Sequence, residues 1–163
     1  MKNKKVLDPC CSIKAMWFDK DDPRCHFADQ RKDRMKISHF PKAKGRSDKV
    51  VDPSEIHDFR KMKYPDNTFY HVVFDPPHVR NLSEKSVSGF CYGSLNKETW
   101  QEDLKKGFSE CFRVLKPNGT LIFKWSEVDI PLKEILKLTD YKPLYGHRSG
   151  RKAQTHWVAF IKE

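Results

Sequence analysis

The residues with the clearest chemical potential form one short segment, Asp75-Pro76-Pro77-His78, directly after the apolar run at 70–74. The Asp75 carboxylate and the Pro76 carbonyl are hydrogen-bond acceptors, and the two prolines restrict the backbone that aims them. Two such acceptors suit an amino group on an aromatic ring, because binding its hydrogens localises a lone pair that is otherwise delocalised into the ring. The planar His78 ring could stack on that substrate or titrate. The alternative is a strand-ending turn without chemistry.

Three further predicted strands end in residues that could hold a ligand. The first strand ends at Asp8, the second ends at Asp29, and a weak third strand at 56–59 contains Asp58 and Phe59. Ligands of open α/β sheets bind at the carboxyl ends of the strands. We therefore expect these ends to meet the Asp75 segment in one site. For each aspartate taken alone, a helix cap or a solvated turn is the alternative.

Strands and helices alternate along most of the chain, which predicts an α/β fold. The best helix, at 96–115, repeats apolar residues at spacings of three and four. Residues 31–49 predict a loop or a frayed helix, and the polar stretch 79–96 predicts a long loop. The last two strands are joined by a short basic loop, so they must be antiparallel. The sequence therefore predicts one domain over residues 1–163, built on an open sheet of about seven strands. Most of these strands run parallel, and one antiparallel strand lies near the C-terminal edge.

The chain is strongly basic, with 32 Lys and Arg against 22 Asp and Glu and a net charge of +10. This charge favours a polyanionic partner, nucleic acid first, over a surface that is merely solvated. Basic residues concentrate at 31–34, at 42–46 and between the last two strands. For Trp125, a place in the core is the alternative to a contact with substrate. The residues expected to contact a nucleic-acid substrate are Lys124, Trp125, Arg148, Arg151 and Lys152.

The remaining composition indicates a cytoplasmic protein. Five cysteines occur without a Cys-x-x-Cys pair, which indicates reduced thiols and no metal site. The basic first residues lack the apolar stretch of a signal peptide. No apolar run reaches about 18 residues, so no membrane span is expected. The oligomeric state does not follow from the sequence.

Four segments together resemble the class I, Rossmann-like methyltransferases that use S-adenosylmethionine. They are Val-Leu-Asp-Pro at 6–9, an acidic residue about 20 positions later, Asp-Pro-Pro-His at 75–78, and Arg-Val-Leu-Lys-Pro-Asn-Gly-Thr-Leu at 113–121. The resemblance spans nearly the whole chain and looks closest to compact, stand-alone enzymes of bacteria and their phages. The Asp-Pro-Pro-aromatic signature marks the subgroup that methylates exocyclic amino groups of adenine or cytosine.

The resemblance implies methyl transfer from S-adenosylmethionine to adenine N6 or cytosine N4 in DNA or RNA, with no metal. It makes Asp75, Pro76, Pro77 and His78 the catalytic residues. The chain departs from the family in two ways: the turn after the first strand has no glycine, and His78 stands where Tyr, Phe or Trp is usual. The cofactor-binding residues that the resemblance implies are Asp8, Pro9, Cys10, Cys11, Asp29, Asp58 and Phe59.

Two other functions stay open at this point. The same fold could methylate a protein amide or a small molecule. A catalytically inactive binding module could also have kept the fold, and the glycine-free turn is the single feature that supports it. Titration with the cofactor separates the inactive module from both enzymes.

Overall fold

The computed structural model describes residues 5–37, 47–150, 152 and 154–163. Within them the strands are β1 (Val6–Asp8), β2 (Cys25–Asp29), β3 (Asp33–Met35), β4 (Lys49–Val51), β5 (Glu55–Ile56), β6 (Phe69–Phe74), β7 (Leu115–Ser126), β8 (Tyr145–Ser149) and β9 (Thr155–Ile161). The helices are α1 (Val87–Tyr92), α2 (Trp100–Val114) and α3 (Leu132–Ile135), and a 3-10 turn at Leu136–Leu138 follows α3.

Seven strands form one sheet in the order β5–β2–β1–β6–β7–β9–β8. The strands from β5 to β7 in this order pair in parallel, whereas β9 is antiparallel to both of its neighbours. This confirms the predicted α/β sheet of about seven strands with one antiparallel strand near the C-terminal edge. The strand order reverses between β1 and β6, and open α/β sheets bind their ligands at the carboxyl ends of the strands beside such a switch point.

The main core lies between the sheet and α2. Apolar residues spaced three and four apart give α2 one buried face, with Leu104 and Phe108 almost fully buried. Phe108 meets Phe123 of β7 with ring centroids 4.9 Å apart. Gly107 lets the helix approach the sheet closely, because a Cβ there would come within 2.7 Å of Phe74. This packing fixes the position of β6, which leads into the Asp75 segment, relative to β7, which contains Lys124.

Turns at 9–24 pack on β1 and β2 in an apolar cluster separate from the main core. Ser12 and Lys14 have φ angles of 47° and 53°, in the left-handed region that a right-handed helix cannot include. Trp17 packs edge-on against Phe27 of β2, with centroids 4.9 Å apart. The turns are therefore fastened to the sheet, and they bring the backbone after β1 to the carboxyl edge.

Two segments predicted to be loops contain regular structure. Residues 31–49 contribute β3, which pairs antiparallel with β4, and residues 79–96 contain α1, which Ser86 caps by accepting from the Gly89 amide. The third predicted strand is shorter than expected, since β5 ends at Ile56 and leaves Asp58 and Phe59 in the following turn. Elements this short leave little periodicity to detect. Among the described helices, none combines the length and the apolarity needed to cross a bilayer.

Candidate active site

A cleft lies at the carboxyl edge of the central strands. Its walls come from the turn after β1, the end of β2, the turn after β5, the end of β6, β7 and the segment that contains α1. Asp8 and Asp58 are not part of this lining. The predicted site residues that line the cleft are Pro9, Cys10, Cys11, Asp29, Phe59, Asp75, Pro76, Pro77, His78 and Lys124.

Asp75 lies deep in this cleft, where β6 ends, and only 18% of its side chain is exposed. Its Oδ2 accepts a hydrogen bond from Lys124 Nζ at 2.6 Å, and its Oδ1 lies 2.9 Å from His78 Nε2. Burial by itself raises the pKa of the Asp75 carboxyl, but His78 and Lys124 more than offset burial and leave that pKa below its ordinary value. Asp75 is therefore ionised at neutral pH and held in one orientation.

His78 contacts the Asp75 oxygen that Lys124 does not. Its Nε2 faces two acceptors, Asp75 Oδ1 at 2.9 Å and the Lys124 carbonyl at 3.2 Å, so Nε2 is the nitrogen that carries the proton. The ring packs edge-on against Trp125, with centroids 4.9 Å apart and planes at 66°. Stacking of His78 on a substrate stays a prediction.

The structure corrects the assignment of Trp125 as a substrate contact. Successive residues of a strand point to opposite faces, so Lys124 enters the cleft while Trp125 enters the core beneath α2. Trp125 is fully buried, and its Nε1 donates to the Ile130 carbonyl at 2.9 Å. It therefore acts on the site through His78, which it contacts, and cannot present a face to a bound substrate.

Asp8 lies beneath the turn that follows β1 and is fully buried. Its carboxylate accepts from the Cys10 amide at 3.2 Å and from Trp17 Nε1 at 2.7 Å. Burial raises the pKa of Asp8 to about 7, against the opposing effect of the Trp17 hydrogen bond. In this structure Asp8 shapes the turn, and Pro9, Cys10 and Cys11 form the surface that faces the cleft.

The turn after β1 bends without glycine because Ser12 adopts the left-handed conformation. The Ser12 amide donates to Asp29 Oδ2 at 2.9 Å, and the Arg31 amide and Nε donate to Asp29 Oδ1. These bonds tie the turn to the end of β2. Asp29 Oδ2 keeps one lone pair for a further donor.

Asp58 and Phe59, in the turn after β5, were both expected to bind the cofactor, but only Phe59 lines the cleft. The Asp58 carboxylate pairs with Arg60, whose Nη2 lies 2.6 Å away, and this hydrogen bond lowers the pKa of Asp58. Gln30 also donates to Asp58 at 3.2 Å. Phe59 is buried and contributes an apolar surface to the cleft.

Sequence reasoning missed the wall that α1 contributes. Ser12 Oγ donates to the Cys91 carbonyl, and Arg31 Nη1 donates to the Phe90 carbonyl at 2.8 Å, so the end of α1 is fastened to the turn after β1 and to β2. At the other end of the segment, Arg80 forms a two-fold hydrogen bond with Asp129 at 2.8 and 3.0 Å. The Ser86 cap was the one local signal that could have revealed a helix here.

The basic loop between β8 and β9 lies at the same edge of the sheet as Asp75. Arg148 is level with His156 of β9, which is level with Trp125 of β7. Arg148 and Lys152 are exposed. Arg151 and the basic segment 42–46 lie outside the described residues.

No protein-family model and no curated protein matches this chain. Solved structures do resemble it. A protein from Pyrococcus horikoshii aligns with a TM-score of 0.58 at 17% identity, over 99% of this chain and 83% of that one. A TehB-like SAM-dependent methyltransferase from Corynebacterium glutamicum aligns with a TM-score of 0.58 at 14% identity, over 100% of this chain and 82% of that one.

A third solved structure, the 1,6-didemethyltoxoflavin-N1-methyltransferase of Burkholderia thailandensis, holds S-adenosylhomocysteine. It aligns with a TM-score of 0.52 at 14% identity, over 96% of this chain and 70% of that one. At such identities the similarity is one of fold. The chain therefore has the class I fold of the S-adenosylmethionine-dependent methyltransferases.

Proposed function

We propose that this protein transfers a methyl group from S-adenosylmethionine to an exocyclic amino group of a nucleic-acid base, adenine N6 or cytosine N4. The observation that carries the proposal is the Asp75 carboxylate, which is largely shielded from solvent, accepts from Lys124 Nζ at 2.6 Å and shares one cleft with the turn after β1 and the end of β2. Open α/β sheets bind ligands beside such a switch point, so a ligand held between β1 and β6 would lie directly beside a hydrogen-bond acceptor.

The β1–β2 side of the cleft offers an acceptor and an apolar surface that suit S-adenosylmethionine. The left-handed Ser12 gives the turn the curvature that glycine supplies more commonly, so the absence of glycine is compatible with close approach of the backbone. Asp29 Oδ2 retains a lone pair for a ribose hydroxyl, and Phe59 offers an apolar surface for an adenine ring. These residues would hold the methyl donor, and Asp8 would hold the turn in shape.

The β6 side of the cleft suits a weakly nucleophilic amino group. S-adenosylmethionine supplies a methyl group on a sulfonium. When an amino nitrogen attacks it, the N–C bond forms, the S–C electron pair stays on sulfur, and the nitrogen releases one proton to solvent water. Each carboxylate oxygen has about two acceptor positions. His78 and Lys124 occupy one position on each oxygen of Asp75, which leaves room on the carboxylate to accept one amino hydrogen.

Asp75 acts in this proposal by hydrogen bonding and charge. Its pKa lies below the ordinary value, so it is a weak base and does not store the released proton. A fixed negative charge stabilises the amino nitrogen most as that nitrogen becomes positive in the transition state. The Pro76 carbonyl is the second acceptor, and the prolines keep it aimed.

The charge of the protein supports nucleic acid as the substrate. The net charge is +10, and Arg148 and Lys152 are exposed at the edge of the sheet that carries the cleft. β8 lies three strand spacings from β6, about 14 Å, which is within reach of phosphates next to a bound nucleotide. Such contacts add affinity without reading sequence.

The test is methyl transfer from labelled S-adenosylmethionine to separate pools of DNA, RNA and protein, with the protein and its Asp75→Asn variant. The substitution keeps the shape of the side chain and removes its charge. We expect label in a nucleic-acid pool and a loss of turnover of about 10²-fold or more in the variant, with cofactor affinity by calorimetry nearly unchanged. Asp140 is exposed, so the Asp140→Asn variant is the matched control and should retain turnover.

Three results would contradict the proposal. Label in the protein pool alone assigns the protein-amide function instead. Near-normal turnover of Asp75→Asn removes Asp75 from the mechanism. An absence of cofactor binding identifies the inactive module.

A further inference from the structure

Tyr92 is a large aromatic side chain at the rim of the cleft, and we infer that it is the platform on which the substrate base stacks. Tyr92 ends α1, and 58% of it is exposed although it lines the same cleft as Asp75. This inference rests on the proposed function and names the residue that receives the base. Sequence reasoning gave the stacking role to His78 and a substrate contact to Trp125, which the structure buries.

The surroundings of His78 explain why a second aromatic surface is needed. Its side chain is only 13% exposed, its Nε2 faces Asp75 and the Lys124 carbonyl, and its ring packs against Trp125. These contacts make His78 a support for the carboxylate. A base that offers its amino group to Asp75 therefore gains most of its ring contact from another side chain.

The backbone of Tyr92 is fixed between the two halves of the cleft. Gly93 follows it with a φ of 69°, and a Cβ on Gly93 would lie 3.0 Å from Pro77 Cγ, so this part of the chain packs directly on the Asp75 segment. On the other side, the Cys91 carbonyl accepts from Ser12. A platform held in this way loses little conformational freedom when a base stacks on it.

The position of Tyr92 distinguishes it from other exposed tyrosines. Tyr145, 71% exposed, begins β8, three strands away from β6, and is not part of the cleft lining. Tyr70, 55% exposed, lies near the start of β6, at the amino edge of the sheet and away from Asp75, with Lys116 Nζ 3.8 Å from its ring centroid. Both have the ring of Tyr92 without its place beside the cleft. Tyr145 is therefore the matched control.

The experiment measures equilibrium binding of a fluorescently labelled, mixed-sequence single-stranded oligonucleotide by anisotropy, in the presence of S-adenosylhomocysteine. Removing a stacking aromatic weakens binding of single strands by about 5- to 150-fold. We expect that loss in Tyr92→Ala, a smaller loss in Tyr92→Leu, and near-normal binding in Tyr92→Phe, which keeps the ring. Tyr145→Ala should bind like the unaltered protein.

Binding separates this inference from the proposed function. If the unaltered protein binds the oligonucleotide and Tyr92→Ala binds it equally well, the platform is overturned, whatever the turnover. If Tyr92→Ala binds weakly but no methyl group reaches nucleic acid in the unaltered protein, the platform stands and the proposed reaction fails. If the unaltered protein does not bind the oligonucleotide, both are overturned.

Discussion

The unaltered protein should lose stability as the pH rises from about 4 to about 7, and replacing Asp8 with asparagine should remove most of that loss. Asp8 is fully buried, and burial raises its pKa to about 7 from the ordinary 3.8. Between these two pH values the folded protein keeps a proton that the unfolded chain has released, so raising the pH favours the unfolded chain. The slope is about 1.4 kcal/mol per pH unit, or about 4 kcal/mol over the whole interval. An asparagine side chain does not titrate, so the variant escapes this loss.

The assay is urea unfolding, followed by tryptophan fluorescence, at several pH values between about 4 and 8. The free energy of unfolding of Asp8→Asn is compared with that of the unaltered protein at the same pH. This comparison cancels the contribution of groups that titrate in both proteins. The difference should shift in favour of the variant as the pH rises and level off above about 7. The exposed Asp140→Asn variant should show no such trend. A difference that is constant with pH would refute the reasoning, because Asp8 would then ionise as readily in the folded protein as in the unfolded chain.

Two further predictions concern the charges around the cleft. Lys124→Met removes the ammonium group 2.6 Å from Asp75, so the pKa of Asp75 should rise and the acid limb of the pH profile of turnover should move to higher pH. An acid limb that stays in place would show that Lys124 does not lower the pKa of Asp75. Arg148→Gln combined with Lys152→Gln should reduce the dependence of log Kd for single-stranded nucleic acid on log salt by about 0.7 for each phosphate that the protein no longer neutralises. An unchanged slope in that double variant would show that the loop between β8 and β9 does not contact phosphates.

The fold class and the residues at the ends of the central strands follow from the sequence alone. Apolar runs that stop at Asp8, Asp29 and Asp75, and the three-and-four spacing in α2, are local patterns that report which backbone segments are buried. A parallel sheet then requires that its strand ends share one edge. The placement of most predicted residues around one cleft follows from that geometry without knowledge of any side-chain contact.

The neighbours of these residues, in contrast, depend on how the whole chain packs. Lys124 reaches Asp75 across 49 positions of sequence, and the packing of β7 on α2 sends Trp125 into the core instead of the cleft. The left-handed conformation of Ser12 involves one residue, and the helix that carries Tyr92 has six. Features this short leave no periodic signal in the sequence. Contacts between distant segments depend on which face of each strand is covered and on how closely the segments approach, and three-dimensional packing sets both.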